Sequence, residues 1–86
     1  MNIQDFEESA FQALVTEITD QIASLTRKLK MQYMRLLKLK MRVAYIGESD
    51  LTEEEQEMLR VLPENVAAME QELAHQQERL GKVKGA

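Results

Sequence analysis

The stretch GESDLTEEE, residues 47–55, separates two helix-forming halves of the chain. Gly47 can adopt the positive φ that commonly ends a helix. Thr52 and Glu55 have the spacing of a capping box, in which each side chain bonds the backbone N–H of the other residue where a new helix begins. The sequence therefore predicts a turn over residues 47–51 that joins two helices.

The half before this turn carries a long apolar repeat. Neither glycine nor proline occurs between Asp5 and Ile46, and Asp5 with Glu8 has the spacing of another capping box, so we predict a helix over residues 5–46. Apolar residues recur there at alternating steps of four and three, with one glutamine among them, as in a coiled-coil seam. The seam positions are Phe11, Val15, Ile18, Ile22, Leu25, Leu29, Gln32, Leu36, Leu39, Val43 and Ile46.

The half after the turn repeats this pattern around the only proline of the chain. We predict a short helical segment over residues 52–62 and a second helix over residues 63–84. Pro63 lacks an N–H and crowds the carbonyl four residues back, so we expect a kink or a new helix start there. The second set of seam positions is Leu59, Leu62, Val66, Met69, Leu73, Gln76, Leu80 and Val83.

The two seams match each other when the helices are folded antiparallel about Ser49, in the middle of the turn. We therefore predict an all-α fold with a single domain over residues 1–86, a long antiparallel helical hairpin that resembles a coiled coil. A single long parallel coiled coil is the alternative, which Gly47 and Pro63 disfavour. The predicted layers are Leu39 with Leu59, Leu36 with Leu62, Gln32 with Val66, Leu29 with Met69, Leu25 with Leu73, Ile22 with Gln76, Ile18 with Leu80 and Val15 with Val83.

The first helix has more apolar surface than one hairpin can bury, because a second apolar stripe lies on its back. A helix that is apolar on two sides is normally buried on two sides. We therefore predict assembly into a helical bundle, as a dimer or higher oligomer, or binding of a different protein. Residues 1–14 overhang the second helix, as an N-terminal arm or a helix extension. The candidate protein-interaction residues are Phe6, Phe11, Met31, Met34, Leu37, Met41 and Tyr45.

Residues 28–42, KLKMQYMRLLKLKMR, hold six of the eleven basic residues and no acidic one. Acidic residues of the second helix should neutralise the end near the turn, where Arg42 approaches residues 53–57. The remaining cations indicate the alternative function, nucleic-acid or anionic-ligand binding. A net charge of −4 and the single aromatic residue Tyr33 in the stretch disfavour it. The candidate anion-binding residues are Arg27, Lys28, Lys30, Arg35, Lys38 and Arg42.

No residue pattern indicates catalysis, so we expect no enzyme activity and no cofactor. The chain has no cysteine and one histidine, and its three glycines are scattered, which excludes thiolate sites and a glycine-rich phosphate loop. Glu72 and His75 have the spacing used in di-metal bundles, but the facing seam supplies no carboxylate. We therefore expect no metal and an ordinary surface histidine.

The composition also bears on location. No apolar run approaches the length of a membrane span, and the acidic N-terminus is unlike a secretory signal. We therefore expect a cytoplasmic protein that does not act at a membrane. The function that the sequence favours is a non-enzymatic protein–protein interaction module, an adaptor or regulator.

Overall fold

Two long helices joined by a short turn form the structure, a computed structural model in which residues 3–85 are described. Helix α1 is Ile3–Ile46, helix α2 is Glu53–Gly85, and a 3₁₀ turn, Glu48–Asp50, lies between them. The molecule is 67 Å long and 18 by 16 Å across. A straight helix of 44 residues, such as α1, is about 66 Å long. The predicted all-α hairpin is confirmed, and its length is that of α1.

The side of α1 that α2 covers is the predicted seam. Ile18 is fully buried at its centre, and every seam position from Val15 to Val43 is at least partly buried. Phe11 and Ile46, at the two ends of the seam, are more open. The buried seam residues are Ile18, Leu29 and Leu39 on α1 and Leu62, Val66 and Gln76 on α2.

The grooves between the helices agree with the predicted antiparallel register. Lys28 and Glu72 line one groove together, and Arg35 and Asn65 line another. Lys28 and Glu72 lie next to the predicted layer of Leu25 with Leu73, and Arg35 and Asn65 lie next to the predicted layer of Leu36 with Leu62. These grooves agree with the register that the apolar spacing predicts, and the individual layers stay predictions.

The turn is built from the residues that the sequence indicated. Gly47 has a φ of 84°. The Thr52 amide donates to Glu55 Oε1 over 3.2 Å, and the Glu55 amide donates to Thr52 Oγ1 over 3.1 Å, so the capping box is complete. The Thr52 hydrogen bonds and the nearby Arg42 guanidinium lower the pKa of Glu55. Arg42 also forms an ion pair with Glu55, as expected, and so ties the end of α1 to the start of α2.

Leu51 is a core residue that sequence reasoning assigned only to the turn. Its side chain is 5% exposed, as deeply buried as that of Leu62 in the seam. The Gln56 side-chain amide donates to the Leu51 carbonyl over 3.2 Å, which holds the residue at the start of α2. An apolar residue directly before a helix cap often packs on an apolar residue four positions after the cap, but that position is Gln56 here, so the sequence lacked half of the signal.

The N-terminal end of α1 differs from the prediction. The helix includes Ile3 and Phe6, so Asp5 lies in its first turn and is not an N-cap. Nothing before Asp5 breaks a helix, and a carboxylate in the first turn is favoured by the helix dipole. Residues 3–14 are thus a helix extension of α1; residues 1 and 2 lie outside the described part of the chain.

The predicted division of the second helix at Pro63 is wrong. Helix α2 runs from Glu53 to Gly85 with Pro63 inside it. The missing N–H of Pro63 costs one backbone hydrogen bond, to the Leu59 carbonyl. Leu62 and Val66, on either side of the proline, are buried in the seam, and their packing holds the helix together. The kink at Pro63 stays a prediction.

Replacing Val66 with aspartate should unfold much of the hairpin. A charge in this apolar seam costs about 3 kcal/mol or more, against the roughly 5–15 kcal/mol that stabilises a small domain. Gln71→Asp, on the exposed side of the same helix, is the matched control. Thermal melts followed by circular dichroism measure both. Equal melting temperatures for the two variants would contradict the seam.

Two glycine-to-alanine changes should have opposite effects on stability. Gly47 combines a φ of 84° with a ψ of 152°, a conformation that costs other residues about 1–3 kcal/mol. Gly81 lies inside α2 with open space around its Cα, so alanine there should add up to about 1 kcal/mol of helix propensity. Urea unfolding measures both changes. A stabilising Gly47→Ala would show that the turn differs from this one.

Candidate protein interface on helix α1

The two helices differ in what they expose. Within residues 3–85, every exposed large apolar side chain belongs to α1. The outer side of α2 carries small residues, Pro63 and polar or charged residues instead, as a solvated helix does. The exposed large apolar side chains of α1 are Ile3, Phe6, Phe11, Met31, Tyr33, Met34, Leu37, Met41, Tyr45 and Ile46.

A group of these residues forms a continuous patch on the back of α1. We call Met31, Met34, Leu37, Met41 and Tyr45 the outer stripe. Each is more than half exposed, from 53% for Leu37 to 86% for Tyr45. They lie away from the seam because they occupy the heptad positions between the seam residues, so α1 cannot turn to bury both surfaces. The sequence prediction that one hairpin leaves this stripe uncovered is confirmed.

The N-terminal candidates divide between two faces. Helix α1 has 44 residues and α2 has 33, so the start of α1 extends past the end of α2. Phe6 is 66% exposed and stands a whole number of heptads from Met34 and Met41, which places it on the same side of α1 as the outer stripe. Phe11 lies on the seam side of α1, beyond the end of α2. Ile3, absent from the predicted interface set, is exposed beside Phe6.

The cations of α1 border the outer stripe. Lys30, Arg35 and Lys38 line a shallow groove together with Met31 and Met34. Of the candidate anion-binding residues, only Arg42 is in an ion pair within the described chain, with Glu55. The other five candidates are exposed and have no ion pair within residues 3–85: Arg27, Lys28, Lys30, Arg35 and Lys38.

Three glutamines place polar atoms inside the hairpin. The side-chain oxygens of Gln21, Gln32 and Gln76 are buried without a hydrogen-bond partner among residues 3–85. The Gln76 amide group donates to Glu72 Oε1 over 2.9 Å, and Gln21 lines the same groove as both. Buried polar groups in a helical seam can select one register at a cost in stability. That role for Gln32 and Gln76 stays a prediction.

The described part of the chain contains no group of three or more histidine, cysteine, aspartate or glutamate side chains placed to hold a metal ion. His75 is exposed and lines a shallow surface with Glu78, Arg79 and Lys82. Glu72, three residues before His75, accepts a hydrogen bond from the Gln76 side-chain amide. Within residues 3–85, neither helix has the length and apolarity that crossing a membrane requires.

Comparison with protein-family models, with curated proteins and with solved structures gave no match. The geometry of the hairpin and the chemistry of its exposed side chains are therefore the guides to function. The outer stripe and its bordering cations are the two features that an isolated, solvated hairpin does not need.

Proposed function

We propose that this protein is a non-enzymatic protein–protein interaction module: a small cytoplasmic helical hairpin that oligomerises or binds a partner protein, as an adaptor or regulator. The observation that supports the proposal is the outer stripe, whose large apolar side chains are more than half exposed although the seam of the same helix is already filled. Full burial of such a side chain contributes about 1.5–3 kcal/mol. Covering the stripe with another helical surface would therefore contribute several kcal/mol.

The chemistry of the stripe also suits protein binding. Three of its five residues are methionines, whose flexible thioether side chains adapt to the shape of a facing surface. Apolar residues at three- and four-residue spacing are the means by which helices bind in grooves and bundles. Binding through α1 leaves the polar outer side of α2 in water.

Leu37→Asp should abolish binding through α1 without unfolding the hairpin, because Leu37 is exposed and outside the seam. We expect at least about a tenfold loss of affinity, since a buried interface centre tolerates charge poorly. Gln71→Asp, the same new charge on the outer side of α2, is the control. Sedimentation velocity measures self-association, and affinity purification from expressing cells with quantitative mass spectrometry measures other partners.

Unchanged self-association and unchanged partner recovery in Leu37→Asp would contradict the proposed function. Circular dichroism of both variants shows whether the hairpin is intact, so that loss of binding can be separated from loss of fold.

The second candidate is binding of a nucleic acid or another polyanion. It is favoured by the exposed cations of residues 27–38 that have no ion pair within the described chain. Binding through several phosphates weakens by orders of magnitude between about 50 and 200 mM salt. Binding through an apolar stripe changes little over this range or strengthens slightly. Salt therefore separates the two candidates.

Labelled duplex and single-stranded oligonucleotides, titrated at several salt concentrations, should show no tight binding by the wild-type chain. The double variant Arg35→Glu/Lys38→Glu should lose much less partner binding than Leu37→Asp does. Tight, salt-sensitive oligonucleotide binding that the double variant loses would replace protein binding with the second candidate.

A further inference from the structure

Six residues form a line along the outer face of α1. If a second copy of this line is laid antiparallel on the first, apolar residues meet apolar residues and acids meet bases. These residues recur every seven positions and are all exposed. Their order is apolar, apolar, acidic, basic, apolar, apolar. We call this set the outer line, and its members are Phe6, Ala13, Asp20, Arg27, Met34 and Met41.

We propose that two copies of the hairpin pair back to back through α1, antiparallel, about a twofold axis between Ala23 and Ser24. This rests on the proposed function and names its partner as a second copy of the chain. The axis lies midway along the outer line, so each apolar residue meets an apolar one and each acid meets a base. The layers are Phe6 with Met41 of the second copy, Ala13 with Met34 of the second copy and Asp20 with Arg27 of the second copy.

The residues that flank the outer line fit the same register. It places Glu17 opposite Lys30 of the second copy and Ala10 opposite Leu37 of the second copy. Glu17 and Lys30 are exposed and have no ion pair within residues 3–85. Pairing between copies would therefore supply opposite charges that one hairpin leaves separated.

The charge of α1 as a whole is divided in the way that an antiparallel pair requires. Residues 3–20 contain five acids and no base, and residues 27–42 contain seven bases and no acid. An antiparallel partner lays each half on the half of opposite sign. The acids are Asp5, Glu7, Glu8, Glu17 and Asp20, and the bases are Arg27, Lys28, Lys30, Arg35, Lys38, Lys40 and Arg42.

Two other pairings of the same face bring like charges together. A parallel pair would place Asp20 beside its own copy and Arg27 beside its own copy. An antiparallel pair of outer stripes, centred near Lys38, would gather the cations of both copies and leave Phe6 uncovered. Juxtaposed like charges oppose association, so both arrangements are disfavoured relative to the proposed one.

The proposed pairing also covers the N-terminal overhang of α1. It lays the exposed residues Ile3 and Phe6 on the part of the second copy that carries the outer stripe, so two uncovered apolar surfaces bury each other. The accessible surface is 6639 Å², whereas a compact monomer of 10.0 kDa exposes about 5,200 Å². The elongated hairpin therefore exposes about 1,400 Å² more than a compact monomer would, and a stable interface buries roughly 800 Å² of each partner.

Charge reversal tests the pairing directly. Asp20→Arg alone, or Arg27→Asp alone, should weaken the dimer at least about tenfold, because two like-charge contacts replace two ion pairs in each dimer. The double variant Asp20→Arg/Arg27→Asp should recover most of the affinity. Within one helix these residues lie about 10 Å apart along the axis, so the recovery would come from the second copy. Sedimentation equilibrium measures the affinity, with Gln71→Arg as control.

Single cysteines test the direction and register, since the chain has no cysteine of its own. Under mild oxidation, Ala23→Cys should form a disulfide-linked dimer because it lies at the axis, and Lys38→Cys should not. A parallel dimer would link through both positions, and a dimer centred on the outer stripe would link through Lys38→Cys alone. Either of those results, or a dimer that links through neither, overturns the proposal.

A wild-type chain that stays monomeric at high micromolar concentration also overturns the pairing. If such a monomer binds a different protein, and Leu37→Asp abolishes that binding, the proposed function holds and the partner on α1 is that protein. A monomeric wild-type chain whose partner binding is unchanged in Leu37→Asp would contradict both the pairing and the proposed function.

Discussion

Burial of the α1–α2 seam is the interaction on which the rest of this structure depends. Ile18, Leu29 and Leu39 from one helix and Leu62 and Val66 from the other are removed from water there. Long isolated helices are marginal in water, and packing of one face supplies most of their stability. The seam therefore stabilises both helices, keeps α2 continuous through Pro63, and decides which side of α1 is left exposed.

The turn converts two seams into one hairpin. Gly47 ends α1 in a conformation that suits glycine, and the reciprocal bonds of Thr52 and Glu55 begin α2. Arg42 joins the two elements through its ion pair with Glu55. Because α2 is the shorter helix, this geometry leaves the overhang at the N-terminal end of α1 and keeps the outer stripe on the opposite side from α2. The same seam that stabilises the fold thus creates the surface to which a function is assigned.

The two helices expose different surfaces because their apolar residues are arranged differently. Helix α2 has one apolar face and buries it, while α1 has two and can bury only one within the hairpin. The methionines and Leu37 of the outer stripe were recognisable in the sequence, because they repeat at helical spacing outside the seam. Heptad spacing already places Phe6 on the outer face and Phe11 on the seam side. The end of α2 decides only that the seam around Phe11 is left uncovered.

The spacing of residues along the sequence predicted the all-α hairpin, the seam, the turn and the exposure of the outer stripe. These features were predictable because periodic burial and helix caps depend on residues that are close in sequence. Packing between the helices decided the remainder. The unbroken path through Pro63 depends on Leu62 and Val66 being held against α1. The burial of Leu51 depends on how the turn closes over the ends of both helices. The distance that a side chain can reach across the seam decided which cations form ion pairs within the hairpin. Arg42 reaches Glu55, whereas Arg35 and Lys38 have no ion pair among residues 3–85.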